Sequence, residues 1–147
     1  MLPLRLFKKA VWDKIDKDND FDPSLKYFRY TQSSIDNTVN ENYPYAFYVL
    51  NTENDQLVMG DNVPVVADNV LTFHMFSLGD QTSTELESLM YDLTSKLADN
   101  PTLDVEQFTN PDHWSNPTVG LMNQNITEEP ETGNWHGITR YQLIMGR

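Results

Sequence analysis

The sequence contains no cysteine, which removes disulfides, thiolate metal sites and cysteine nucleophiles together and leaves the redox compartment open. Its six glycines, at 60, 79, 120, 133, 137 and 146, are scattered, so no glycine cluster lets backbone amides close around a phosphate. Basic residues are scarce: 10 Lys and Arg stand against 22 Asp and Glu, for a net charge of −12. That balance argues against a broad phosphate-binding face and favours repulsion of nucleic acid. Long apolar runs are missing too. No stretch approaches the roughly 18 apolar residues that a membrane span requires. In Met1-Leu2-Pro3-Leu4-Arg5-Leu6-Phe7-Lys8-Lys9 charges interrupt the apolar residues before a signal-peptide core can form, so the expectation is mature protein made in a cytoplasm. The sequon Asn125-Ile126-Thr127 then has no secretory context to act in.

What is present suits a single domain spanning 1–147, long enough for a real core. Leu4, Phe7, Val11 and Ile15 recur at spacings of three and four with Lys8, Lys9, Asp13 and Lys14 opposite, which predicts a first amphipathic helix over roughly Leu4 to Ile15. Asp16 to Pro23 reads as a turn-rich segment, Leu25 to Thr31 as a short strand and Gln32 to Asn42 as a polar loop. Tyr43 to Leu50, dense in aromatic residues, predicts a strand, with Pro44 placed before the ladder begins. Asn51 to Asp55 is expected to turn, Gln56 to Met59 to form a short strand and Gly60-Asp61-Asn62 to turn again. Val70 to Phe76 predicts a strand with Leu71, Phe73 and Met75 on its apolar side.

From Thr82 to Asp99 the period lengthens to about 3.6, and Leu86, Leu89, Met90, Leu93 and Leu97 form the stripe of a second helix. Thr82-Ser83-Thr84-Glu85 has the form of a capping box, and Asp99-Asn100-Pro101 supplies the stop. Thr102 to Pro117 is expected to be a loop anchored by Phe108 and Trp114. The chain closes with Val119 to Ile126, an acidic turn Thr127 to Gly133, and a period-two run from Trp135 to Met145, together a hairpin. The expected class is α+β: a mostly antiparallel sheet packed by two helices on one side, with a long C-terminal hairpin.

Chemistry is sparse. Asp16, Asp18 and Asp20 resemble half a calcium loop, but Phe21 stands where the sharp-turn glycine belongs and Tyr27 where the bidentate glutamate belongs, so a solvated acidic turn is the better reading. None of His74, His113 and His136 has a second ligand at the helical spacing zinc sites favour. Ser83 lies in no nucleophile elbow, and Glu128, Glu129 and Glu131 sit in a hydrated turn rather than a pocket that would raise a carboxyl pKa. No catalytic, metal or cofactor site is therefore expected. Aromatic residues make up 12% of the chain, more than one small core readily absorbs. Phe47, Phe73, Phe76 and Trp114 are assigned to the core, and Tyr27, Tyr30, Tyr43, Tyr45, Trp135 and Tyr141 are candidates to face a partner.

The order of these segments resembles the tail-terminator (tail-completion) proteins of tailed bacteriophages. The resemblance rests on the N-terminal helix, the proline-aromatic strand Tyr43-Pro44-Tyr45-Ala46-Phe47-Tyr48-Val49 and the strand Leu71-Thr72-Phe73-His74-Met75-Phe76. It continues through the leucine-striped helix Glu85 to Leu97 and the hairpin Gly120 to Met145, with Glu128-Glu129-Pro130 in its turn and Gly137 to Leu143 as last strand. The loops Gln32 to Asn42 and Thr102 to Pro117 fall outside it. The resemblance implies a non-enzymatic virion protein of the tail and neck. It would form a homo-oligomeric, hexameric ring that caps the tail tube protein, halts tail polymerisation and meets the head-completion or stopper protein, with DNA passing through the lumen. The candidate subunit and tube contacts are Tyr43, Tyr45, Glu128, Glu129, Glu131, Trp135, His136, Arg140 and Tyr141. Two other readings stay open: another head-tail connector, stopper or minor tail protein, and an acidic module that covers a basic protein surface. For the latter, the second helix offers Glu85, Glu87, Asp92 and Asp99 with Lys96 among them.

Overall fold

A computed structural model describes residues 3–17, 28–29, 35–36, 38–57, 64–79, 82–99 and 103–146. Helix α1 runs Pro3–Trp12 and ends in a π-helical turn, Asp13–Lys17. Pro3 opens it, a position where a missing N–H costs nothing. Its Leu6, Phe7, Ala10 and Val11 are buried, as is Ile15 beyond it. A two-residue strand β1, Phe28–Arg29, falls inside the short strand expected there. Of the expected turn Asp16 to Pro23, Asp16 and Lys17 instead close the π-helical turn, and the remainder, with Asp18 and Asp20, lies outside the described residues, as does the expected turn Gly60 to Asn62.

Strand β2 covers Tyr45–Leu57 and β3 covers Pro64–Ser77. Both are longer than their sequence patterns. The turn expected at Asn51 to Asp55 is instead strand, its residues paired with β3 from Asn51 opposite Val70 to Asp55 opposite Ala67. Pairing with a long neighbour satisfies the backbone of a polar stretch that has little intrinsic strand preference, and the register shift between Thr52 and Asn54 absorbs the misfit as a bulge.

Helix α2, Thr84–Thr94, continues into a second π-helical turn, Ser95–Asp99. Its buried stripe is Leu86, Leu89, Met90 and Leu93, with Leu97 beyond. The capping box does not form. Ser83 occupies the cap position without a side-chain bond to the helix backbone, its hydroxyl lying 3.3 Å from Glu87 Oε1, and Thr82 Oγ1 accepts from the Thr84 amide at 3.4 Å. Thr82 therefore makes a local turn two residues long instead of reaching the third helical amide.

The hairpin consists of β4, Thr118–Glu128, and β5, Trp135–Gly146. The sheet order is β1-β2-β3-β5-β4: β2, β3, β5 and β4 are mutually antiparallel, and β1 joins β2 in parallel. The last strand in sequence thus lies inside the sheet, and β4 lies at its edge. Both helices pack on one face, α1 against β2 and α2 against β3 and β5, which makes the fold α+β with the hairpin the sequence predicts.

One core fills the space between helices and sheet. Tyr48 and Leu50, Leu71, Phe73 and Met75, and Tyr141, Leu143 and Met145 project from three successive strands into it. Gly137 permits the close approach of α2: a Cβ there would stand 2.6 Å from Met90 Sδ and 3.2 Å from Leu86 Cδ2. The loop after α2 is sealed by Trp114, 1% exposed, whose amide donates to Asn110 Oδ1 at 3.0 Å while Asn110 Nδ2 donates back to the Trp114 carbonyl at 2.8 Å. Phe108 packs on the rim of the core, its ring under Lys9 Nζ at 5.6 Å. Both expected anchors are in place.

Candidate subunit interface

Along β5, residues alternate between the helix side and the second face of the sheet, and from Gly137 to Met145 each helix-side residue is buried. Its partner β4 is different. Apart from Val119 and half-buried Ile126, every residue of β4 is exposed, including Leu121 at 45% and Met122 at 49%. Leu121 stands opposite Tyr141 and Asn123 opposite Arg140, so Met122 is the extra residue of a bulge. Among the described residues nothing pairs with the outer edge of β4. Neither lysine nor proline interrupts it, the residues that usually blunt such edges.

Between β4 and α2 runs a groove of about 470 Å³ lined by Glu87, Met90, Tyr91, Thr94, Gln124, Asn125 and Ile126. A polar chain crosses its floor: Gln124 Nε2 donates to Thr94 Oγ1 at 3.1 Å, and Thr94 Oγ1 lies 2.8 Å from the Tyr141 hydroxyl. Tyr91, on the outer wall, is 70% exposed.

The acidic turn is fastened rather than free. Gly133 adopts φ +71°, its amide donates to the Glu129 carbonyl at 2.7 Å, and the Glu129 amide donates to the Asn134 carbonyl at 2.8 Å. Asn134 ties the turn to the body, accepting from the Gly79 amide at 2.9 Å and lying 3.3 Å from the Tyr43 hydroxyl through Nδ2. A Cβ at position 79 would fall 1.9 Å from the Gly133 carbonyl oxygen, so this docking requires glycine there. Glu128 and Glu131 point to solvent and Glu129 is half-buried.

The second face of the sheet carries a continuous run of rings. Tyr43 lies 5.0 Å from Tyr45, Tyr45 stacks on Phe76 at 4.7 Å, Phe76 on His136 at 4.3 Å, and Phe47 on His74 at 4.8 Å. His74 Nδ1 and His136 Nε2 are 3.1 Å apart. One ring must carry the proton between them and the other must not, so the accepting ring is neutral and the two cannot both be imidazolium. Burial holds His74 below the usual histidine range, helped by the charges of His136 and Arg140. Burial also lowers His136, and Glu129 opposes that shift. Two imidazoles fall short of the three protein ligands that even an open zinc site uses, and no cluster of three or more ligating side chains occurs among the described residues.

The candidate contact residues therefore separate. Tyr43, Tyr45 and His136 meet in the ring stack, and Glu129 acts on it electrostatically. Arg140 lies on the same face, donating to Asn123 Oδ1 on β4 at 3.2 Å. Tyr43, Tyr45 and Tyr141, expected to face a partner, are buried at 6%, 1% and 0% exposure. The two faces of the sheet hold separate apolar clusters, which accommodates more aromatic residues than a single core would. Phe47 and Phe76 belong to that second cluster, Trp135 packs half-buried against the main core, and Tyr27 and Tyr30 lie outside the described residues.

Sequence reasoning missed Leu121, Met122 and Tyr91 as surface residues and the pairing of His74 with His136. The available signal was the run Val119 to Met122, which breaks the alternation a half-buried strand should show. No protein-family model matches the chain, and no curated protein matches it closely enough to count as a relative. Among the described residues no helix is long and apolar enough to cross a membrane.

Proposed function

We propose that the chain is a structural protein of a tailed-phage virion that caps the tail tube as a ring of identical subunits, ends tail polymerisation and forms the joint to the head-completion proteins. The observation that carries this reading is β4: an eleven-residue edge strand, exposed almost throughout, bearing Leu121 and Met122 in solvent and flanked by a groove. A subunit built to remain alone would blunt such an edge, whereas one that joins copies of itself uses it. The resemblance to tail-terminator proteins favours a ring over other assemblies, and a net charge of −12 suits a conduit through which DNA slides without sticking. The reading needs no catalytic group.

Negative-stain imaging with mass photometry tests it, on the purified chain alone and mixed with tail tubes. Closed rings of one stoichiometry, free or seated on tube ends, and no retention of DNA at low salt are expected. A chain that stays monomeric under both conditions, or one that holds DNA tightly in a salt-sensitive way, would overturn the reading.

A further inference from the structure

The charge of the chain is divided along its length. Seven of its basic and five of its acidic residues fall in 1–29, and three basic and seventeen acidic residues fall in 30–147. The N-terminal segment is therefore a slightly basic piece attached to a strongly acidic body. Within it, α1 turns Leu6, Phe7, Ala10 and Val11 to the core. Arg5 and Trp12, seven residues and two turns apart, lie on the opposite side of the helix, where Arg5 is exposed and Trp12 is 50% exposed. A half-exposed indole and an exposed guanidinium on one helix face are side chains suited to anchor an interface, since Trp and Arg are enriched among the residues that dominate binding energy.

The groove between α2 and β4 has the complementary character. Its wall presents the exposed carboxylate of Glu87 and the ring of Tyr91, and its apolar lining comes from Met90 and Ile126. At about 470 Å³ it lies within the roughly 300–1,000 Å³ of ordinary ligand pockets, room enough for an indole. The two surfaces sit on opposite sides of the subunit, α1 over β2 and the groove at the β4 edge beyond β3 and β5. A helix on one flank and its receptor on the other make a head-to-tail contact, the kind that closes into rings.

We propose that α1 of one copy docks into the α2–β4 groove of the next, with Trp12 seated against Met90, Tyr91 and Ile126 and Arg5 paired with Glu87. The proposal rests on the ring reading and names the contact that builds the ring. The partner is a second copy of this chain because the basic aromatic stripe and the acidic apolar groove are both its own.

Charge exchange tests the contact by mass photometry across a concentration series, with circular dichroism to confirm that each variant is folded. Arg5→Glu and Glu87→Arg should each weaken assembly about tenfold or more, since each places like charges across the contact. Trp12→Ala should weaken it by at least as much. Mixing the Arg5→Glu and Glu87→Arg proteins should restore assembly: a native helix then meets a native groove at one junction, and a reversed pair meets at the next. A misfolded variant would not be rescued by mixing. Assembly of all three variants at the wild-type concentration overturns this contact and leaves the ring standing. Failure of the mixture to recover overturns the Arg5–Glu87 pairing and the contact with it. A wild-type chain that remains monomeric both alone and on tail tubes overturns the ring itself.

Discussion

The two arms of the C-terminal hairpin share a turn and a ladder of hydrogen bonds, yet they live in different solvents. On β5, Gly137, Thr139, Tyr141, Leu143 and Met145 face the core and are buried. On β4, Val119 alone is buried, and Leu121 and Met122 are about half exposed. The difference comes from position. β5 has β3 on one side and β4 on the other, with α2 above it, whereas β4 has one neighbouring strand among the described residues. A hairpin can thus give one arm to stability and keep the other for a partner.

The strongest way to break this comparison is to make β5 dispensable. Leu143→Ala removes a fully buried side chain and should cost about 2–5 kcal/mol in urea unfolding, the range of large-to-small core changes. A loss under half of that would mean that the strand is not the core element its burial indicates. Gly137→Val attacks the same strand from the opposite direction. A branched side chain there collides with Met90 and Leu86, so α2 must shift, and overpacking should cost about 1–3 kcal/mol. The groove between α2 and β4 would deform with it.

On β4 the stability effect should nearly vanish. Leu121→Asn with Met122→Gln changes two exposed side chains, and unfolding free energy should stay within about 0.5 kcal/mol of wild type. Self-association should fall, because the edge has lost its apolar surface. A destabilisation comparable to that of Leu143→Ala would erase the distinction between the arms.

The same two strands show what the sequence could and could not reveal. The period-two rhythm of Trp135 to Met145 identified a half-buried strand, and the leucine stripe from Leu86 to Leu97 identified α2, because each is a local pattern produced by one packed face. Trp114 as an anchor was legible from its type alone, a large apolar ring within a polar loop. The strand through Asn51 to Asp55 was not: its residues favour turns, and only pairing with β3 makes them extended. Nor was the burial of Tyr45 and Tyr141. Those tyrosines are covered because the sheet has an apolar cluster on each face, and which strands are neighbours is a long-range fact. The His74–His136 contact spans 62 positions of sequence and depends on β3 lying beside β5. The edge position of β4 has the same origin, since a chain that ends in a hairpin could have placed either arm inside.

Acid offers the gentlest test, because it acts on β5 and leaves β4 alone up to Glu128 at its end: from Thr118 to Thr127 the edge strand has no titratable side chain. His136 of β5 and His74 of β3 both sit below the ordinary histidine pKa of 6.5, chiefly because burial disfavours the imidazolium. In the unfolded chain both regain that ordinary value and bind protons more readily than in the fold, so between the folded and unfolded values acidification favours unfolding. The stability is fully present above pH 6.5 and is lost as pH falls through the depressed folded values. Melting temperature should therefore fall on acidification over this range, and the doubly substituted His74→Phe/His136→Phe protein, which keeps aromatic rings in the stack, should fall less steeply. Imidazole resonances followed by NMR should titrate below 6.5 at both positions. Glu129→Gln should move His136 lower still, because its carboxylate is what opposes the effect of burial. A His136 midpoint that stays fixed in that variant would detach the acidic turn from the ring stack. A midpoint that moves would tie the exposed end of the hairpin to the seam between β3 and β5, so that charge brought to the turn by a neighbouring subunit would be felt in the sheet.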